Sequence, residues 1–572
     1  MKRIAALSIL VLLVVAAWAA YEDVARPEPS FARLMPQDAV LFLEAQDFSG
    51  ILRDWNSSPE KQVWITTANH EVFSRSRLFL RLKQAQEEFA SAAGLSPDMS
   101  FLSEVAGGQS ALGIYDIGKL ELLYVTRLPS ANAMKSGIWQ QRAQFETRQV
   151  EGKQFYVRTD PQSQRVVAFA IDNDCLVMGT REDLVAGALS LLADKKAAAL
   201  NQQGWFVNAV KSAKDPGELR MVIHLAEVTK TPQFRTYWVQ QNITELRQYE
   251  SSVSDLFRSS GVFYREERSM LLKNAPESVA DAADGSPEVA ELMRLVPPDA
   301  GFYRAFAVSP QDDTLALLQQ KILAPGLGPA PASKVAPSVN LGDQPVGNAS
   351  NLGVRIDTPP FSGTTENTGA DALRELLKKA NIRAALQLHR SQSSDDGVFV
   401  RPHSTIVLLG ATDWPETAVQ QAIQGALSPG LTASNIGVAW KKAGTGAQSY
   451  SELDGLARIA VAVKGKYLFV SDDPEMLVTV LGQVSQPVTA EAAVYYARFD
   501  HGHERQNFYQ LFSLIDRPSQ NNAGNNEDRT PQFFSENVAS LSKTLASVKS
   551  QSVVARRKGG VETQTVRYEC QP

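Results

Sequence analysis

The chain has 572 residues, more than one hydrophobic core usually supports, since single domains stop near ~250–300 residues. An apolar share of 44% and a charged share of 21% are typical of globular proteins. A prior of about 150 residues per domain predicts two to four folded units. The formal net charge of −5 gives no electrostatic reason to expect nucleic-acid binding, and no Lys/Arg run in the sequence resembles a stripe that tracks phosphates.

An apolar segment follows a basic start within residues 1–30. Residues 4–20 contain Ser8 as their only polar residue, and Lys2 and Arg3 precede them. This length is at the short end for a membrane-spanning helix, so we predict a single-pass anchor in the inner membrane with the bulk of the chain in the periplasm. The small-x-small run at 17–19 leaves an alternative, a cleaved signal segment and a secreted or periplasmic protein.

The segment that follows opens with a strand entrance that occurs twice. "RLMPQDAVLFLEA" at 33–45 returns as "RLVPPDAGFYRAF" at 294–306, each with a turn-forming Pro and Asp before an apolar strand. A predicted hairpin followed by an apolar-striped helix also recurs, at 165–192 and 458–481. We therefore predict two copies of one module. They are residues 31–274 and 287–572, with the connector 275–286 between them.

Each predicted copy ends in a strand and a hairpin. In the first copy we predict a strand over 217–228 and a hairpin turn at the charged run "REER", Arg265–Arg268, centred on Glu266 and Glu267. In the second copy the predicted turn is Gly559–Gly560, a strong hairpin signal.

Residues 324–370 interrupt the second copy with seven prolines and no large apolar cluster. Such a segment cannot bury enough surface to order itself. We predict a disordered insertion and favour a simple surface excursion over a partner-docking segment.

The run "DHGHE" at 500–504 is the only cluster among six histidines. Its potential metal ligands are Asp500, His501, His503 and Glu504. The two histidines, with the two carboxylates beside them, could form half of a metal site. A full zinc site needs three or four ligands held in fixed geometry. We therefore favour a solvated loop for this run. The remaining histidines are His224, predicted to be a strand residue with one hydrogen-bond partner, and the isolated His70, His389 and His403.

Other candidate residues are weaker. Ser110 in "GGQSALG" lacks the spacing of a nucleophile elbow, because the second glycine comes one residue late and the strand follows the serine. P-loop, dinucleotide-binding and HExxH motifs are absent from the sequence. Trp139 and Trp205 lie at helical spacings that favour a core role over ligand stacking. Cys175 and Cys570 are interpreted as isolated thiols, with a disulfide between them left open.

Three stretches of the first copy resemble exported bacterial proteins of the DUF3352 group. They are "LMPQDAVLFLEAQDFSGILRDWNSSP" at 34–59, "GLSPDMSFLSEVAGGQSALGIYD" at 94–116 and "DCLVMGTREDLVAGAL" at 174–189. The resemblance covers most of the first copy and, more loosely, the second. It implies an architecture and export from the cytoplasm rather than a chemistry.

These patterns predict an α+β fold. It consists of two tandem copies of a mostly antiparallel sheet module with helices packed on one face, preceded by one N-terminal apolar helix. The predicted function is a non-enzymatic, membrane-anchored envelope protein with a duplicated interaction or scaffolding module. The alternative is a carrier or chaperone that binds lipid or an apolar client in a cleft between sheet and helices. We predict no catalytic residue, metal or cofactor. The predicted partners are the membrane, through residues 4–20, and an envelope protein or lipid, but no nucleic acid.

Overall fold

The computed structural model forms two compact units. Unit 1 comprises Met1–Phe48 and Glu88–Val207, and unit 2 comprises Ser49–Glu87 and Asn208–Pro572. The structure describes residues 30–66, 70, 74–75, 77–193, 198–232, 246–260, 262–273, 285–308, 314–323, 370–393, 400–427, 439–453, 458–504 and 548–570. The predicted apolar helix at 4–20 lies outside these residues, as do 324–369 of the predicted insertion and 275–284 of the predicted connector.

The described helices are mostly short. They are α1 (Phe48–Ser57), α2 (Pro59–Ile65), α3 (Arg77–Ala93), α4 (Met99–Val105), α5 (Ser130–Ala133), α6 (Gly137–Gln140), α7 (Glu182–Leu192), α8 (Gly204–Ser212), α9 (Leu225–Val228), α10 (Pro287–Met293), α11 (Thr314–Leu318), α12 (Asp371–Ala380), α13 (Glu416–Ala426) and α14 (Pro474–Gly482). A π-helical segment, Gln319–Leu323, extends α11.

Unit 1 is built on an antiparallel sheet. Its strands are β1 (Leu41–Ala45), β2 (Ser110–Asp116), β3 (Glu121–Arg127), β4 (Glu146–Val150), β5 (Lys153–Thr159), β6 (Val166–Asp172) and β7 (Cys175–Gly179). They pair in the order β1-β2-β3-β7-β6-β5-β4. Phe169 and Leu176 pack against α4 on one face, while the intervening Ala168, Ala170 and Val177 are also fully buried. Because successive strand residues point to opposite faces, both faces of this sheet are covered.

Unit 2 contains the other described strands. They are β8 (Leu219–Ile223), β9 (Tyr249–Ser259), β10 (Val262–Leu272), β11 (Phe302–Ala307), β12 (Ile382–Ser393), β13 (Val400–Gly410), β14 (Trp440–Ala443), β15 (Tyr450–Leu453), β16 (Ile459–Lys464), β17 (Tyr467–Ser471), β18 (Tyr495–Asp500), β19 (Val548–Lys558) and β20 (Val561–Cys570). They form one antiparallel sheet in the order β8-β9-β10-β20-β19-β18-β11-β12-β13-β17-β16-β15-β14.

This continuous sheet contradicts the predicted arrangement of two tandem modules. Strands β8, β9 and β10 come from the first predicted copy, yet β10 pairs with β20 of the second, from Arg265↔Arg567 to Leu271↔Val561. The pairing satisfies backbone N–H and C=O groups that a free strand edge would leave exposed. Local patterns do not encode which distant strand supplies that partner, so the sequence suggested separate modules.

The predicted placement of helices on one face is also wrong. In unit 2, α12 and α13 pack on Ile406 and Leu408, and we call this side the front face. Helices α10 and α14 pack on Leu386 and Val407, on the opposite or back face. The central strands β12, β13 and β17 are therefore apolar on both sides, as expected for a sheet buried between two helical layers.

Turn predictions had mixed outcomes. Gly559 and Gly560, with φ of +56° and +78°, connect β19 to β20, which confirms the Gly-Gly turn. The predicted turn at Glu266 and Glu267 is wrong, because both residues lie inside β10 and the chain reverses after Ser259. Glu266 is tolerated within the strand because it accepts hydrogen bonds from neighbouring side chains. The donors are Ser254 and Arg268. The strand predicted over 217–228 is shorter than expected, ending at Ile223 before helix α9.

Among the described residues, no helix is both long and apolar enough to cross a membrane. This finding contradicts the prediction of a single-pass transmembrane protein, because none of the described helices could form the membrane span.

Candidate functional site

Four of the six histidines gather at one end of the unit 2 sheet. They are His389 in β12, His403 in β13, and His501 and His503 in a helical turn at 501–504 after β18. The register places them together, because Phe302 pairs with both His389 and Phe499, and His389 pairs with Ser404. We call the region of these four residues the histidine end. The sequence marked only two of them as a cluster.

The front face of the histidine end carries paired polar side chains. His389 Nδ1 lies 3.3 Å from Ser404 Oγ, as expected for residues directly opposite each other on one face of an antiparallel pair. On the same face, Arg304 Nε donates to Gln387 Oε1 at 2.8 Å. Both contacts join neighbouring strands and orient these side chains on a rigid surface.

Glu504 is the most buried charged residue of this region, with 1% of its surface exposed. Its carboxylate accepts hydrogen bonds from Ser391 Oγ and from His503 Nδ1, the latter at 3.0 Å. A Cβ atom on Gly301 would lie 1.7 Å from Glu504 Oε1, so any other residue at 301 would displace the carboxylate from this position. The hydrogen bond from the Ser391 hydroxyl to Glu504 anchors the helical turn to the sheet.

The predicted half-site for a metal is partly committed to structure. His503 Nδ1 faces Glu504, and His501 Nδ1 lies 3.1 Å from the Val548 carbonyl oxygen. Asp500 Oδ1 accepts the backbone N–H of His503 at 2.9 Å and so caps the turn. Within the described ranges, no group of three or more His, Cys, Asp or Glu side chains is placed to hold a metal ion. The solvated loop favoured from the sequence is a helical turn instead.

The back face of the histidine end holds two acid–base pairs. Arg390 donates to Asp473, which also caps helix α14 by accepting from the Glu475 N–H at 3.0 Å. His403 Nδ1 lies 3.6 Å from Asp472 Oδ1. The Asp472 carboxylate, as acceptor and as negative charge, raises the pKa of His403 above its ordinary value, and burial opposes this. Since 3.6 Å is long for a hydrogen bond, we regard the contact as an ion pair that forms when His403 is protonated.

The other candidate residues from the sequence are hydrogen-bonded to, or packed against, neighbouring side chains. His224, which follows β8, has Nε2 3.2 Å from Glu250 Oε1, so its predicted hydrogen-bond partner is confirmed. Ser110 is buried, with its Oγ 2.6 Å from Thr126 Oγ1. Trp139 packs edge-on against Tyr156 in the unit 1 core.

Trp205 and the two cysteines complete this group. Trp205 Nε1 donates to Gln203 Oε1 at 2.8 Å, and its ring contacts Phe206 edge-on. Cys175 and Cys570 are both free thiols. Trp205 and Cys175 lie in unit 1, whereas Cys570 pairs with Val548, whose carbonyl oxygen contacts His501.

The central section of the unit 2 sheet is a second candidate surface, which sequence reasoning missed. We define the central section as strands β10, β20, β19 and β18. All six side chains of β18 are half-buried, and β19 buries only Ser550 and Ala555 completely. On its back face, Arg265 of β10 lies directly opposite Arg567 of β20. The two arginines are remote in the sequence, and Arg265 was interpreted there as part of a turn.

Comparisons with known proteins identify no family. No family model matches the chain, and no curated protein matches it. A solved structure similar to part of the chain is crystal form III of TP0453, with a TM-score of 0.23 and 12% sequence identity. The match covers 44% of this chain and 82% of that chain. At this TM-score the likeness carries no information about fold or function.

Proposed function

We propose that this protein is a non-enzymatic envelope protein that binds another protein through the central section of the unit 2 sheet. The observation that carries the proposal is the partial exposure of this section on both faces. Strands β12, β13 and β17 lie between two helical layers, whereas the side chains of β18 are all half-buried. A sheet surface left partly open in this way is available to a partner.

The side chains of the central section are of the types enriched in protein interfaces. Arginine and tyrosine supply much of the binding energy at such surfaces, because they combine large contact area with hydrogen bonding. The back face presents Arg265, Arg498, Tyr496 and Arg567, and Tyr303 of the adjacent strand β11 extends this set. Their placement on paired strands limits the conformational entropy lost on binding.

Export is the second part of the proposal. We propose a secreted or periplasmic protein whose apolar segment at 4–20 is removed as a signal. The basic residues before this segment and the small-x-small run at 17–19 support it. N-terminal sequencing of the mature protein tests it, with a new terminus expected shortly after Ala19. An intact Met1 on the mature protein would contradict it. Membership of the DUF3352 group remains a prediction of the same kind.

Site-specific photo-crosslinking in the native cell tests the interaction. A photoreactive residue at Thr565, in β20, is expected to give a discrete crosslinked product with another protein. The matched control is Thr147, which is exposed in strand β4 of unit 1. The same product from Thr147, or none from Thr565 at native abundance, would contradict the proposal. Lipid that co-purifies with the protein in native mass spectrometry would favour the carrier alternative instead.

A further inference from the structure

Two arginines face each other across strands β10 and β20 on the back face of the central section. Arg265 and Arg567 are direct cross-strand partners in the antiparallel register. Side chains in such a pair share one face, with Cβ atoms about 4.5–5.5 Å apart, and like charges in this position destabilise the sheet. The pair therefore costs stability unless another group offsets its repulsion.

The protein itself neutralises this pair incompletely. The Arg265 guanidinium stacks on the Phe257 ring at 4.1 Å, which fixes its position. Its nearest carboxylate is Glu267, with Nε and Oε1 3.6 Å apart, and the buried Nε has no hydrogen-bond partner. Arg567 is exposed and, in the part of the chain that the structure describes, makes neither a hydrogen bond nor an ion pair.

The pairing of β20, β19 and β18 aligns two further residues with Arg265 and Arg567 across the sheet. Ser552 of β19 lies opposite Arg567, and Arg498 of β18 lies opposite Ser552. Arg498 is already neutralised, because its Nη2 lies 2.9 Å from Glu569 Oε2. The positive charge without an acidic partner is therefore centred on Arg567, with the Ser552 hydroxyl beside it as a further donor.

We propose that Arg567 and Arg265 form a docking point for carboxylates on an acidic segment of a partner protein. Guanidinium groups bind carboxylates through two parallel charge-assisted hydrogen bonds, and an incoming carboxylate would also relieve the repulsion between the arginines. The site lies on an extended strand surface, which suits a polypeptide segment better than a small free ion. This inference rests on the proposed function and adds the chemistry of the partner.

A labelled polyglutamate peptide is a direct probe for this chemistry. Fluorescence anisotropy with the full mature chain is expected to show binding that weakens as salt is raised. Arg567→Gln should weaken binding about tenfold, the loss expected for one charge-assisted pair. The matched control is Arg556→Gln on the same face, which should change affinity less than twofold because Arg556 is already paired with Glu491.

Thermal unfolding of the same variants separates loss of binding from loss of folding. Arg567→Gln is expected to raise the melting temperature, since it removes the like-charge pair. Equal weakening by both variants, or polyglutamate binding that is insensitive to Arg567→Gln, would overturn the inference. Complete competition by millimolar inorganic phosphate would also overturn it, in favour of a small-oxyanion site.

The crosslinking experiment distinguishes failure of this inference from failure of the proposed function. If the Thr565 crosslink persists in the Arg567→Gln background, the interaction stands and the acidic docking point falls. If no crosslink forms while polyglutamate binding still depends on Arg567, the docking chemistry stands and the proposed interaction falls.

Discussion

Strands β1–β7 of unit 1 and β11–β17 of unit 2 have the same order of pairing, but their ion pairs at one end of the sheet have opposite polarity. In unit 1, Arg181 after β7 contacts Glu121 at the start of β3, with Nη1 and Oε2 2.8 Å apart. In unit 2, Asp472 after β17 faces His403 in β13. The acid and the base have exchanged strands.

The backbone around the two pairs is nearly the same. The Thr180 N–H donates to the Leu122 carbonyl at 3.0 Å, and the Asp472 N–H donates to the Ser404 carbonyl at 3.2 Å. In this register Asp472 corresponds to Thr180, one residue before Arg181, so the two ion pairs use neighbouring positions and the side chains set both the position and the sign of the charge. Because a histidine serves as the base in unit 2, only that pair changes its charge near neutral pH.

The largest expected losses of stability come from substitutions in the hydrophobic cores of the two units. Phe169 and Phe469 are both fully buried, in β6 and β17. Phe169→Ala and Phe469→Ala should each lower the free energy of unfolding by about 3–5 kcal/mol through lost burial and a cavity. Hydrogen exchange followed by mass spectrometry should show faster exchange in the peptides of the mutated unit. A loss under about 1 kcal/mol for either variant would mean that its core repacks.

The titration of His403 is the next test. Its pKa should lie above the ordinary 6.5, and Asp472→Asn should lower it. Histidine-selective ¹⁵N labelling with NMR measures both values, and the loss of one signal in His403→Gln assigns the resonance. Because the folded pKa is raised, the stabilisation from this pair is complete below about pH 6.5 and disappears as pH rises through the folded pKa. An unchanged His403 titration in Asp472→Asn would remove Asp472 as the cause.

The pKa of a histidine introduced at position 121 of unit 1 should shift in the opposite direction to the pKa of His403. Glu121→His puts an imidazole beside Arg181 instead of beside an acid. The positive guanidinium disfavours a second positive charge, so the pKa of the new histidine should fall below 6.5. The same NMR titration measures it. A raised value would show that Arg181 turns away to Asp183, its other carboxylate partner.

The smallest expected effect is the removal of the unit 1 pair itself. Arg181 has 40% of its side chain exposed and Glu121 has 18%, so solvent screens their attraction. Arg181→Gln should cost about 0.2–1 kcal/mol, measured by urea unfolding at low salt and largely abolished at high salt. A cost above about 2 kcal/mol would show that Arg181 also has a packing role.

Short-range features were predictable because their causes are local. The Gly559–Gly560 turn needs positive φ at both positions, which glycine adopts without strain. The helix after 473 begins there because Asp473 accepts backbone N–H groups of its first turn. The turn at Glu266 was misjudged because charged residues suggest exposure, whereas Ser254 and Arg268 satisfy the carboxylate inside a strand.

The candidate surfaces depended on contacts between distant residues. Two of the four histidines at the histidine end are isolated in the sequence, and register alone brings His389 and His403 to that end. The opposed arginines require the pairing of β10 with β20. No run of basic residues signals this site, because each strand contributes one arginine.

The amino-acid sequence by itself determined the Gly559–Gly560 turn and the alternation that gives each strand its two faces, because these depend on φ preferences and on neighbours a few residues away. Only the tertiary structure decided that β10 pairs with β20, that helices cover both faces, and which charges meet across strands. Backbone hydrogen bonds between strands are nearly the same for every sequence, so the choice of a distant partner emerges only when the whole sheet is assembled.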